Sequence, residues 1–161
     1  MITLIEKLSG IPAGSTLAAA LKTRAEVLRL SEAAHDAVLL PRDPGGLSHA
    51  LRAALAARMC RHVGNAALVA HYDGYLAHSG DDDVAALARP GGVCGDARHD
   101  AMARHADLLT LSPRDATRED IARLRAAGVG DPDIVRLSEL AAFVNYQLRV
   151  IAGLMLLKEI A

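Results

Sequence analysis

Histidine is the side chain whose ordinary pKa lies nearest neutral pH, so it serves as a proton carrier or a metal ligand. This chain has seven in 161 residues. His71 has the strongest claim to chemistry. It closes the stretch RHVGNAALVAHY, residues 61–72, beside Tyr72 and near Tyr75, and three of the chain's four aromatic residues are tyrosines. In the last apolar segment Asn145, Tyr146 and Arg149 interrupt a strongly apolar pattern. Polar groups on a buried helix need partners. A pocket lined by His71, Tyr75, Asn145 and Arg149 would suit a small carboxylate or carbonyl compound, with His71 moving the proton.

The second candidate chemistry is that of thiols. The 4, 3, 4 spacing of Cys60, Gly64, Ala67 and His71 is that of one face of a continuous helix. On such a helix, rising 1.5 Å per residue, Cys60 would lie about 16 Å from His71, a distance that a joint at Gly64 changes. Cys60 also lies near a helix C-terminus, where the dipole disfavours a thiolate. Cys94 sits in the glycine-rich stretch GGVCGDARH, expected to be exposed, with Arg98 and His99 nearby to favour a reactive thiol. The two cysteines are either displaced redox thiols, paired or with Cys94 acting alone, or a core cysteine and an incidental loop cysteine. For metals, Glu32-x-x-His35 resembles half of a di-iron motif and Asp96-x-x-His99 is a looser echo. A full site wants two such motifs and two further carboxylates. No metal or cofactor is assigned.

The elements that must position these groups follow from composition. Apolar residues make up 52% and aromatics 2%, with no tryptophan, so the core must be built from Ala, Leu, Val and Ile. Such chains favour closely packed helices. Eighteen basic and nineteen acidic residues nearly balance, and no basic block with interleaved aromatics occurs, so a nucleic-acid partner is not expected. The most apolar segment, residues 140–157, is interrupted by Asn145, Gln147 and Arg149. It reads as a helix buried in the core or in a subunit interface, and no membrane span is expected. The opening MITLIEKLSG lacks the long apolar core of a signal peptide, and two cysteines are too few for a disulfide scaffold. A cytoplasmic location is expected.

The length suggests one domain. Residues 15–40 read as one helix capped by Ser15 or Thr16, ended by the loop PRDPGG at 41–46. A second helix covers 47–63 with Ser48 as cap. Gly64 then suits a helix end and Asn65 the start of a third helix, 66–79. A short helix is expected within 81–92 and another over 95–110. TREDIARLRAAG, 117–128, carries Thr117 as cap, Asp120 at the third position and Gly128 as stop. Asp131 is expected to cap a long last helix, 132–158, with Pro132 in its first turn. No segment alternates with period two. The fold class expected is all-α, a bundle of about seven helices.

That order of elements resembles the alkylhydroperoxidase D / carboxymuconolactone decarboxylase family, in its peroxidase-related branch. The likeness is carried by LRAALAARMCRHVGNAALVAHY (51–72), DATREDIARLRAAGVGDPDIVRLSELAAFVNY (115–146) and FVNYQLRVIAGL (143–154). It implies an AhpD-like helical bundle with a family core over 47–157 and an N-terminal helical extension over 1–46. It also implies a homo-oligomer packed through its C-terminal helices. The family's peroxidases use a Cys-x-x-Cys pair, a glutamate twelve residues before it and a histidine four after it. His71 matches that histidine. Gly64 and Ala67 stand in the cysteine positions and Arg52 in that of the glutamate, so the dithiol mechanism has no thiols at that place. The resemblance therefore implies an antioxidant peroxidase framework without its redox pair. It leaves two alternatives: acid–base chemistry of the decarboxylase kind at His71, without a cofactor, or a non-catalytic oligomeric binding module.

Overall fold

The computed structural model of the protein describes residues 2–160, and every regular element among them is helical. In chain order they are α1 (Leu4–Ser9), α2 (Thr16–Lys22), α3 (Ala25–Leu39), α4 (His49–Val63), α5 (Ala66–Ser79), α6 (Ala97–Leu111), α7 (Arg118–Ala126) and α8 (Asp131–Ile160). The expected all-α bundle is what forms.

Helix α4 is the centre. Its residues from Ala50 to Cys60 are all buried, so it is enclosed on every side. Five alanines in that span make this feasible, because their short side chains let α5, α6 and α8 approach closely. Two arginines share the interior. Arg52 donates to the carbonyls of Leu47 (2.9 Å), Val38 (2.8 Å) and Pro44 (3.0 Å). It thereby holds the proline-glycine loop against the bundle. Arg58 forks onto Asp107 at 2.6 and 2.7 Å and donates to the carbonyls of Leu87, Arg89 and Gly92. Each guanidinium satisfies carbonyls that a folded-in loop would otherwise leave without partners.

The local signals act as expected at several joints. Ser48 Oγ accepts from Leu51 N–H at 3.1 Å, and Asn65 Oδ1 from Leu68 N–H at 3.0 Å. Gly64 takes φ 79°, the left-handed conformation that closes α4. The carboxylate of Asp120 accepts from Thr117 N–H at 2.7 Å.

Four boundaries differ from expectation. Residues 15–40 form two helices, α2 and α3. Thr23 Oγ1 donates back to Ala20 O at 2.7 Å, and the N–H groups of Thr23 and Arg24 bond three residues back, which tightens and ends the first helix. Within 81–92 only one 3₁₀ turn forms, Ala85–Ala88. Asp131 is the first helical residue of α8 rather than its cap. Gly130 O accepts the first α8 N–H bonds, and the Asp131 carboxylate pairs with Arg125 at 2.8 Å. Finally, α1 forms on a capping box between Thr3 and Glu6 that the sequence reading did not identify.

Helix α8 is about 45 Å long and packs against α1, α3, α4, α6 and α7. By length and composition it is apolar enough to cross a membrane, and half of its most apolar window is buried in the protein. It also divides the molecule. Phe143 and Gln147 face α3 and α5, while Ala141, Asn145 and Arg149 face α6 and α7.

Candidate functional site: a histidine pair in an aromatic nest

On α3, Leu28, Ser31, His35 and Leu39 recur at helical spacing and form the buried face. His35 is therefore turned inward, 3% exposed. Its Nε2 lies 3.1 Å from Nε2 of His71 on α5. Its Nδ1 lies 3.0 Å from Asp36 Oδ1, a carboxylate at the surface.

With both rings neutral, these two contacts fit one arrangement of protons. An ionised carboxylate only accepts, so Nδ1 of His35 carries the hydrogen. Nε2 of a neutral His35 then accepts, and Nε2 of His71 donates to it. That leaves Nδ1 of His71 as the open lone pair of the chain Asp36–His35–His71. Burial, aided by the nearby His35 and Lys7, lowers His71 to about 4, so the ring is neutral at physiological pH.

All four aromatic side chains of the protein gather here. The rings of Tyr72 and Tyr75 meet His71 edge-on, each with centroids 5.0 Å apart. Phe143 meets His35 edge-on at 6.0 Å, and Tyr146 packs on Phe143 at 6.1 Å. The phenols are anchored. Tyr72 donates to Gln147 Oε1 at 2.5 Å. Tyr146 and Ser31 lie 2.8 Å apart, and Ser31 Oγ itself donates to Val27 O, so Tyr146 is the donor to Ser31. Burial raises the phenols of Tyr72 and Tyr75, so neither supplies an anion near neutral pH. The crevice behind His35, between α1 and α3, has a volume of about 10 Å³, room for at most one water. Access to the pair is from the half-buried His71 and Tyr75.

The expected pocket is only half assembled. His71 and Tyr75 come together, but Asn145 and Arg149 lie across α8. Positions 145 and 149 point away from 143 and 147 on a helix of 3.6 residues per turn. Asn145 Nδ2 donates to Ala141 O at 2.9 Å and Thr110 Oγ1 at 3.2 Å. Arg149 donates to Asn145 O at 2.9 Å.

The thiols are not placed for redox work. Cys60 is fully buried in α4 and its thiol is pushed up to about 12 by burial. Cys94 is half-buried rather than exposed, packed against the core. Burial and the carboxylates of Asp100 and Asp96 raise it, against a backbone hydrogen bond that lowers it. The expected cationic neighbours are engaged elsewhere: Arg98 binds Asp133 and Gly46 O, and His99 faces Asp96. Both cysteines are free thiols. Gly64 and Ala67 are exposed beside a shallow groove, and Arg52 holds a loop. Glu32 accepts from Leu4 N–H at 3.1 Å, and no three His, Cys, Asp or Glu side chains converge among the described residues.

His35 is the partner that the sequence reading missed. The motif Glu32-x-x-His35 drew attention to it as a metal ligand, and its place on the buried face of α3 is the signal that it needed an internal partner. Compared with known proteins, the chain matches no family model and no curated protein.

Proposed function

We propose that the chain carries acid–base chemistry on a small carboxylate or carbonyl compound, without a cofactor. His71 carries the proton, and His35 and Asp36 orient its ring. The supporting observation is the 3.1 Å contact between the two Nε2 atoms, continued to Asp36 at 3.0 Å. Asp36 holds the His35 proton at Nδ1, so Nε2 of His35 accepts from His71 and the lone pair at Nδ1 of His71 is turned to the substrate. Held at about 4, His71 is unprotonated at pH 7 and takes a proton only in passing from the bound substrate.

The framework for this chemistry, in our reading, is of the alkylhydroperoxidase D / carboxymuconolactone decarboxylase kind, resting on the three stretches at 51–72, 115–146 and 143–154. The peroxidase alternative is disfavoured by Gly64 and Ala67 in the thiol positions and by the two raised cysteines. Association of copies through the end of α8 belongs to the same reading and is supported by exposed Met155, Leu156, Leu157 and Ile160. The test is proton exchange in deuterium oxide at pH 7, followed by proton NMR on a panel of oxo-acids and unsaturated lactone acids. Wild type is expected to exchange the protons next to the carbonyl. His71→Ala should abolish this, and His35→Gln should slow it at least about tenfold. Equal rates in wild type and His71→Ala, or no exchange across the panel, would overturn the proposal.

A further inference from the structure

Across α8 from the histidine pair, helices α6, α7 and α8 enclose a second cleft of about 570 Å³, within the range that holds small ligands. Its walls are mainly apolar, formed by Leu109, Pro113, Ile121, Ala141 and Ala142. Two polar side chains in it lack partners of the usual kind.

His105 is 6% exposed, yet it makes no hydrogen bond among the described residues. Every buried side-chain nitrogen or oxygen wholly closed off from space has a partner here, so the His105 nitrogens must open onto space. The two clefts that His105 lines are where that space lies. A neutral imidazole there offers one donor and one acceptor. Asp120, which lines one of these clefts with it, is engaged by Thr117 and Arg123. The second group is Arg149, exposed at the cleft. It reaches only the backbone and side-chain oxygens of Asn145, at 2.9 and 3.4 Å. It joins none of the ion pairs found among the described residues.

An apolar trough with one unneutralised guanidinium and one buried unbonded imidazole has a defined complement. The guanidinium fork matches a carboxylate. A single cation calls for a monoanion. The apolar walls call for a hydrocarbon tail rather than a sugar or a polyphosphate. We propose that the cleft between α6, α7 and α8 binds a monocarboxylate with a short apolar tail. Arg149 holds the carboxylate, and His105 takes a hydrogen bond from or to the ligand or a water beside it. This site is separate from the His71 site and does not rest on the acid–base reading.

Octanoate is the probe, with octan-1-ol as its uncharged counterpart, each titrated calorimetrically into the intact protein. Octanoate is expected to saturate at one site and to shift the ring-proton NMR signals of His105. Arg149→Gln alters an exposed side chain with no ion pair, so the fold is kept. It should weaken octanoate about tenfold, the worth of one charge-assisted hydrogen bond, and leave octan-1-ol unchanged. Ala142→Trp, at an exposed wall position, should block both. His71→Ala should leave octanoate binding unchanged. The proposal is overturned by any of three results: no saturable octanoate binding, unchanged octanoate affinity in Arg149→Gln, or loss of binding in His71→Ala.

Discussion

Lowering the pH should destabilise this protein through His71 well before its carboxylates matter. The folded ring is held at about 4, whereas an unfolded histidine titrates near 6.5. Between these values the unfolded chain binds a proton that the folded chain refuses. By linkage, stability is full above about pH 6.5, falls as pH drops through that window, and levels off below about 4. Integrating the difference from pH 7 to pH 5 gives a ceiling of about 2 kcal/mol. His71 is only half-buried, so solvent screening reduces this to about 1 kcal/mol. Asp120, lowered to about 2, contributes in the same sense only below its ordinary value near 3.8, outside the chosen window. His105 is also lowered by burial and adds to the wild-type slope, so the comparison must isolate His71. The assay is urea unfolding at pH 7, 6 and 5 for wild type and His71→Gln. Wild type should lose about 1 kcal/mol more than the variant over that range. In parallel, the ring-proton NMR signal of His71 should titrate near 4. A midpoint at 6 to 7, or identical slopes in both proteins, would refute both the burial argument and the neutral proton chain built on it.

The other expectations concern the interior. Arg58→Met should cost about 2–4 kcal/mol, because it leaves the carbonyls of Leu87, Arg89 and Gly92 unpaired and strips the half-buried Asp107 of its fork, leaving it His62 alone. Urea midpoints measure it, and a loss below about 1 kcal/mol would show that the loop finds other donors. Tyr72→Phe should cost about 1–3 kcal/mol by orphaning Gln147 Oε1, with the same measurement. Thiol titration with a disulfide reagent at pH 8 should leave Cys60 unreacted until denaturant is added and modify Cys94 slowly. Rapid reaction of Cys60 in the native protein would contradict its placement in α4.

What could be read in the chain and what could not divide along a physical line. The helix joints at Ser48, Gly64–Asn65 and Thr117–Asp120 were legible because a cap joins a side chain to an N–H two or three residues away, and Gly64 alone can relax into φ 79°. The all-helical class was legible because alanine and leucine without alternation leave the chain no other way to bury its surface. Even locally, a competing bond could intervene, as Thr23 did when its hydroxyl turned back to Ala20 O and ended α2.

The site was another matter. His71 was visible as a candidate, but its partner His35 lies 36 residues away, and the sequence alone does not say that α3 packs its His35 face on α5. Asn145 and Arg149 carried the right chemistry and went to the wrong side, since the packing of a 30-residue helix between two layers decides which face meets which neighbour. Arg52 and Arg58 look like ordinary charged residues in a helix. Only enclosure of α4 on all sides turns them into anchors for loops that meet it from distant parts of the chain. The helical class and the joints at Ser48, Gly64–Asn65 and Thr117–Asp120 were written in the chain, because the deciding bonds there are local. Tertiary packing determined the histidine pair, the split of the expected pocket and the use of the buried charges, because those depend on surfaces brought together across the whole chain.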